Sequence, residues 1–167
     1  MKSGFRKIVL LLFLCVAFTS CSHQQNGAAA IINQKASLAG NLPFNPFRWC
    51  VITIGVDGQA STMFTLYGND VATQHARTGP QGPYPVGSQL ALVTWFQQED
   101  DHWFGARTPA AIKSIEFIRV EPGSDEGPSY AYRIFDGSPS KENMIKPTHD
   151  WQKRIDTMLS HRAAVMP

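Results

Sequence analysis

Between residues 48 and 137 apolar and polar positions alternate in short runs, separated by Gly, Pro, Asn and Asp. Alternation of period two, bounded by turn residues, marks strands with one face buried and the other wet. "RWCVITIGV" (48–56) predicts the first strand, closed by the hairpin signal Asp57-Gly58. "STMFTLYG" (61–68) predicts the second. "NDVATQHAR" (69–77) breaks the alternation and predicts a short helix. Asn69 or Asp70 is its N-cap, because a short polar side chain can accept from the unpaired amides of the first turn. A Gly/Pro-rich loop (78–87) follows. "SQLALVTWFQQ" (88–98), "AIKSIEFIRVE" (111–121) and "SYAYRIFDG" (129–137) predict three further strands. Then the period changes. Trp151, Ile155, Met158 and Leu159 fall at helical spacing within residues 150–165, predicting an amphipathic helix that lies on the sheet. The expected fold class is α+β: a mainly antiparallel β-sheet, a short helix after the second strand and a C-terminal helix.

The N-terminus follows a different logic. Lys2, Arg6 and Lys7 precede the apolar run "IVLLLFLCVAF" (8–18), which is too short to span a bilayer as a helix of about 20 residues and fits a secretory signal. "FTSC" then ends at Cys21, in the manner of a lipoprotein cleavage site, and makes Cys21 the expected lipidation site. Ordinary cleavage nearby is the alternative and would leave Cys21 a free thiol. The expected division is a signal peptide (1–20), a flexible tether (21–46) rich in Gln, Asn, Ala and Gly, and one domain (47–167). A lipid anchor implies a membrane partner and the periplasmic face of the cell envelope, at the outer membrane.

The signal also changes the charge. The whole chain has 15 Lys+Arg against 13 Asp+Glu, but three of the basic residues lie in the leader. The remainder has 12 against 13, a net charge of −1, so its balance gives no support for nucleic-acid binding. With Cys15 in the leader and Cys21 acylated, Cys50 stands alone. Its place in an apolar strand predicts a buried, inert thiol.

Chemical motifs are sparse. None of His23, His75, His102, His149 and His161 lies three to five residues from another, so the familiar zinc spacings are missing and no metal site is expected. No G-x-S-x-G, phosphate loop or dinucleotide fingerprint occurs. "QQEDDHWFGARTP" (97–109) crowds Glu99, Asp100, Asp101 and His102 together. We read it as a solvated turn, with Trp103 and Phe104 seating it against the core. Aromatic residues from Trp49 to Phe135 fall mostly on predicted strands. They suit either a β core or a flat cavity for a planar cofactor, and composition does not separate the two.

The succession "TLYGNDVATQHAR", "PYPVGSQLALVTW", "HWFGARTPAAIKSIEFI" and "YAYRIFDGSP" resembles the cytochrome P-460 family over Trp49 to Pro139. The resemblance implies a periplasmic, mainly β domain carrying an unusual haem, with activity toward hydroxylamine or binding of nitric oxide and similar small molecules. Two features of that pattern are missing. No CxxCH follows Pro139, and the strand expected to bear a haem-linked lysine reads "LALVTW", with Leu90 and Leu92. Phe64 stands where the family's pocket arginine is expected, so Phe64 and Leu92 become candidate apolar cofactor-binding residues. Glu116 matches the pocket carboxylate and is the candidate catalytic residue; its alternative is a solvated or paired strand carboxylate. Covalent c-type haem is therefore not expected. A noncovalent haem would need an axial ligand from elsewhere, with His149 and His161 nearest by position. Two functions follow: a haem-binding envelope protein with redox or ligand-binding activity toward small nitrogen compounds, or a cofactor-free binding or structural lipoprotein that keeps the fold and takes a small-molecule ligand.

Overall fold

The computed structural model describes residues 32–79, 82–124, 127–137, 139–143 and 149–164. The leader and Cys21 lie outside them. Six strands occur among the described residues: β1 (Cys50–Asp57), β2 (Thr62–Gly68), β3 (Gln89–Glu99), β4 (Arg107–Ser124), β5 (Gly127–Asp136) and β6 (Lys141–Asn143). They form one sheet in sequence order, every neighbouring pair antiparallel. Helix α1 (Asp70–Thr78) follows β2, and α2 (His149–Ser160) follows β6. The expected α+β class is thus observed. β4 begins earlier than its apolar run suggested, because Arg107, Thr108 and Pro109 still pair with Glu99, Gln98 and Gln97. β6 was not expected: "KEN" has no apolar alternation, and its pairing with Ile134, Phe135 and Asp136 defines it.

Both faces of the sheet are covered, which explains the near-continuous apolar run in β3. Leu90 and Leu92 face the helices, while Ala91, Val93 and Trp95 face the other way. On the helical side Leu66, Leu90, Ile118 and Tyr132 meet Ala72 of α1 and Ile155 and Met158 of α2. Each fully buried Leu or Ile there contributes about 1.5–3 kcal/mol relative to exposure. α2 crosses several strands. Trp151 packs on Tyr132 of β5 with ring centroids 5.0 Å apart; just beyond the helix His161 lies against Phe64 of β2, and the Ala164 amide donates to the Ile52 carbonyl of β1 at 2.8 Å.

The opposite face is closed by residues 34–49. Ala36, Leu38, Leu42 and Phe44 pack on Val93, Trp95, Ile115 and Phe117, and Trp95 Nε1 donates to the Ala36 carbonyl at 3.0 Å. Gly40 bridges Ser140 beside β6. The segment expected to be tether as far as residue 46 is therefore part of the domain from about Gln34 onward. Its polar composition hid a few apolar side chains that match an exposed sheet face. The aromatic set resolves in the same way. Phe44 packs on Trp49 at 4.5 Å and edge-on to Phe117 at 4.7 Å, and Phe117 meets Phe135 at 5.5 Å. These rings fill this second core.

Two turns explain motifs noted in the sequence. Asn69 caps α1 by accepting from the Ala72 amide (3.0 Å), and it also accepts from the Gln89 amide (3.1 Å) and donates to the Gly87 carbonyl (2.9 Å). One side chain thereby joins the helix start to the entry of β3. In Tyr84-Pro85-Val86-Gly87 the Ser88 amide closes a turn on the Pro85 carbonyl at 3.0 Å, with Gly87 at φ +90°. A side chain at that φ would be strained, which accounts for the glycine.

Two expectations fail. Cys50 is exposed, at the start of edge strand β1. A bulge between Val51 and Thr53 shifts the register, so Ile52 is buried under the helices while Ile54, on the opposite face, is 70% exposed. A bulge resets which side chains share a face, and simple alternation does not reveal it. Trp103 and Phe104 do not seat the 100–106 turn: Trp103 is 72% exposed and Phe104 wholly so. The turn is held by Asp100, whose Oδ1 accepts from the amides of His102 (2.8 Å) and Trp103 (3.1 Å). As expected, Glu99, Asp101 and His102 lie at the surface, while Asp100 is partly buried.

Candidate functional site

Glu116 sits near the middle of β4, opposite Leu92 of β3 and Ile134 of β5, and is only 1% exposed. Strand alternation aims it toward α2. An ionised carboxylate there requires partners, since removing a charge from water costs several kcal/mol unless it is paired and hydrogen-bonded. It has them. The Tyr132 hydroxyl donates to Oε2 at 2.5 Å, and Arg154 of α2 donates from Nε to Oε2 at 2.8 Å and from Nη2 to Oε1. The planar guanidinium thus grips both carboxylate oxygens. Arg154 Nε also lies 3.3 Å from the Tyr132 oxygen, closing a three-residue network.

The electrostatics follow from this geometry. Hydrogen bonds to Glu116 hold the Arg154 guanidinium above its already high pKa. Burial, reinforced by the neighbouring carboxylate, pushes the Tyr132 phenol well above the ordinary tyrosine range, so it stays a proton donor. The paired-carboxylate reading of Glu116 therefore describes its surroundings. A group already engaged through both oxygens by a cation and a phenol is poorly placed to exchange protons with a substrate.

Beside this network lies a cleft of about 460 Å³. Leu92 and Met158 give it an apolar floor, while Lys153, Arg154, Thr157 and Asp150 supply polar walls. The candidates Leu92 and Glu116 are thus brought together. Phe64 is not. Its ring covers Gly55 of β1, occupying the space where a side chain at that position would begin, and its other neighbour is His161 at 5.2 Å. Phe64 and Leu92 share a sheet face but not a cavity.

A haem does not fit the donors described at this cleft. Its described lining has no histidine or cysteine, and the thioether in it belongs to Met158, which is packed into the helical core. His161 is half-buried against Phe64, and burial lowers its pKa. It lines a different, smaller cleft of about 280 Å³ with His75 and Tyr84. Of His149, only its place at the start of α2 is described. Among the described residues no three His, Cys, Asp or Glu side chains converge as metal ligands.

Sequence reasoning found Glu116 and Leu92 but missed Arg154 and Tyr132. The available signal was the helical spacing of α2, which sets Arg154 beside the buried Ile155 and so near the sheet. Which strand residue it meets depends on how the helix crosses. The chain matches no family model, and no curated protein resembles it closely enough to count as a relative.

Proposed function

We propose that this chain is an envelope-anchored binding protein with a cytochrome P-460-like domain that works without haem, taking a small amphipathic molecule in the cleft under α2. The observation that carries this reading is the closure of Glu116 by Arg154 and Tyr132. The carboxylate that redox or acid–base chemistry would use is committed to holding α2 on the sheet. What remains open beside it is a concave surface with an apolar floor and a few polar groups, the usual make-up of a small-molecule site. The anchor at Cys21 and the P-460 likeness rest on the sequence patterns above.

The test uses the purified chain with two probes. Anilinonaphthalene sulfonate, an apolar anion, should gain fluorescence saturably, and Thr157→Trp, which fills the cleft from its exposed rim, should abolish that gain. Haemin should produce no saturable, stoichiometric Soret band. Such a band would overturn the haem-free reading, and probe binding unchanged by Thr157→Trp would overturn the assignment of the cleft. Cys21→Ala should move the protein from the membrane fraction to the soluble one, and continued anchoring would refute the lipid site.

A further inference from the structure

We propose that the second cleft, where the end of α1 faces the end of α2, is a separate ligand site for a small planar anion, of which an aromatic carboxylate is the model. Its position is independent of Glu116. The walls are His75 and Ala76 of α1, Tyr84 of the following loop, Leu159 at the end of α2, and His161 and Arg162 just beyond it. At about 280 Å³ it accommodates a single aromatic ring with a charged substituent.

Three observations select the ligand class. No Asp or Glu belongs to the described lining, whereas Arg162 and two imidazoles do. One wall is a ring pair, His75 on Tyr84 with centroids 4.4 Å apart, and a third ring in the lining, His161, is backed by Phe64 at 5.2 Å. Such faces favour a flat, polarisable partner. The C-terminal ends of helices carry partial negative charge, which would oppose an anion. Here part of that charge is already engaged. The Thr78 hydroxyl donates to the carbonyls of Gln74 (2.9 Å) and His75 (3.3 Å), and the His161 amide donates to that of Met158.

The site carries a built-in pH dependence. Half-burial lowers the pKa of His161, so the free protein favours its neutral form. His75 of α1, Tyr84 of the loop and Arg162 of the chain beyond α2 share the cleft with it, and the β2 residue packed against it, Phe64, is uncharged. An anion entering among these groups favours the imidazolium. By linkage, binding strengthens as pH falls and raises the His161 pKa in turn.

The experiment titrates the full chain with benzoate and follows the ring protons of His75 and His161 by NMR. Both should shift saturably, with tighter binding at about pH 5.5 than at about pH 7.5. Arg162 is exposed, so Arg162→Ala should fold normally and bind roughly tenfold more weakly, the usual effect of losing one charge-assisted contact. His161→Gln should still bind but lose most of the pH dependence. Benzylamine, the same ring with the opposite charge, should not compete. Absence of a saturable shift, equal binding of benzylamine, or an affinity indifferent to both pH and Arg162→Ala would each overturn the proposal. Thr157→Trp should leave benzoate binding unchanged, which separates this site from the cleft beside Glu116.

Discussion

Replacing Arg154 with Met keeps an unbranched apolar stem and removes the guanidinium. Two of the three hydrogen bonds to Glu116 are lost, and the Tyr132 hydroxyl alone remains. Hydrogen bonds to charged groups contribute about 1.5–3 kcal/mol each. Orphaning one member of a buried ion pair costs about 3–5 kcal/mol. Both figures need discounting, because half of the Arg154 side chain faces water and the pair is correspondingly screened. A loss of about 3 kcal/mol at neutral pH is the expected result, or roughly 10 °C in Tm for a domain of this size. The assay is equilibrium denaturation of wild type, Arg154→Met, Glu116→Gln and the double variant, each with its own m-value. The double variant should be more stable than Arg154→Met alone, because the harm lies in the unpaired buried charge and not in the missing contact. If Arg154→Met costs less than about 1 kcal/mol, or the double variant is the less stable, then the network does not hold α2 to the sheet and the reasoning fails.

Further outcomes follow from other residues. Asn69→Ala removes the α1 cap together with both links to the loop before β3, and should cost about 2 kcal/mol by thermal unfolding, above the roughly 1 kcal/mol of a simple cap. Cys50 should react completely with a thiol reagent in the native protein; labelling that needs denaturant would show the thiol to be buried. Trp103→Ala combined with Phe104→Ala should change stability by less than about 0.5 kcal/mol, because neither ring packs on the core. Gly87→Ala should destabilise measurably, since the turn holds this residue at φ +90°.

The local rules read well from the sequence. Alternation placed five strands, and the break at residues 69–77 placed α1 with its cap at Asn69. The spacing of Trp151, Ile155, Met158 and Leu159 placed the buried side of α2. These features depend on neighbours a few residues apart, so the chain carries them by itself. The errors came where a distant partner decides. The bulge near Ile52 turned Ile54 outward, Cys50 is exposed at the start of an edge strand, and β6 exists only because β5 offers it an edge. Residues 34–46 joined the domain because a sheet face needed covering, although their composition reads as linker. The candidate site divides in the same way. Glu116 and Leu92 could be singled out from the strand text, and their pairing across β3 and β4 follows from a register that the strands nearly fix. That Glu116 would be closed by Arg154, 38 residues further on, and by Tyr132, was decided only when α2 settled across the sheet. The sequence by itself determined which segments become strand or helix and which side of each is apolar. Tertiary packing determined which charges meet, because a buried carboxylate is tolerable only where a second element delivers its counter-ion.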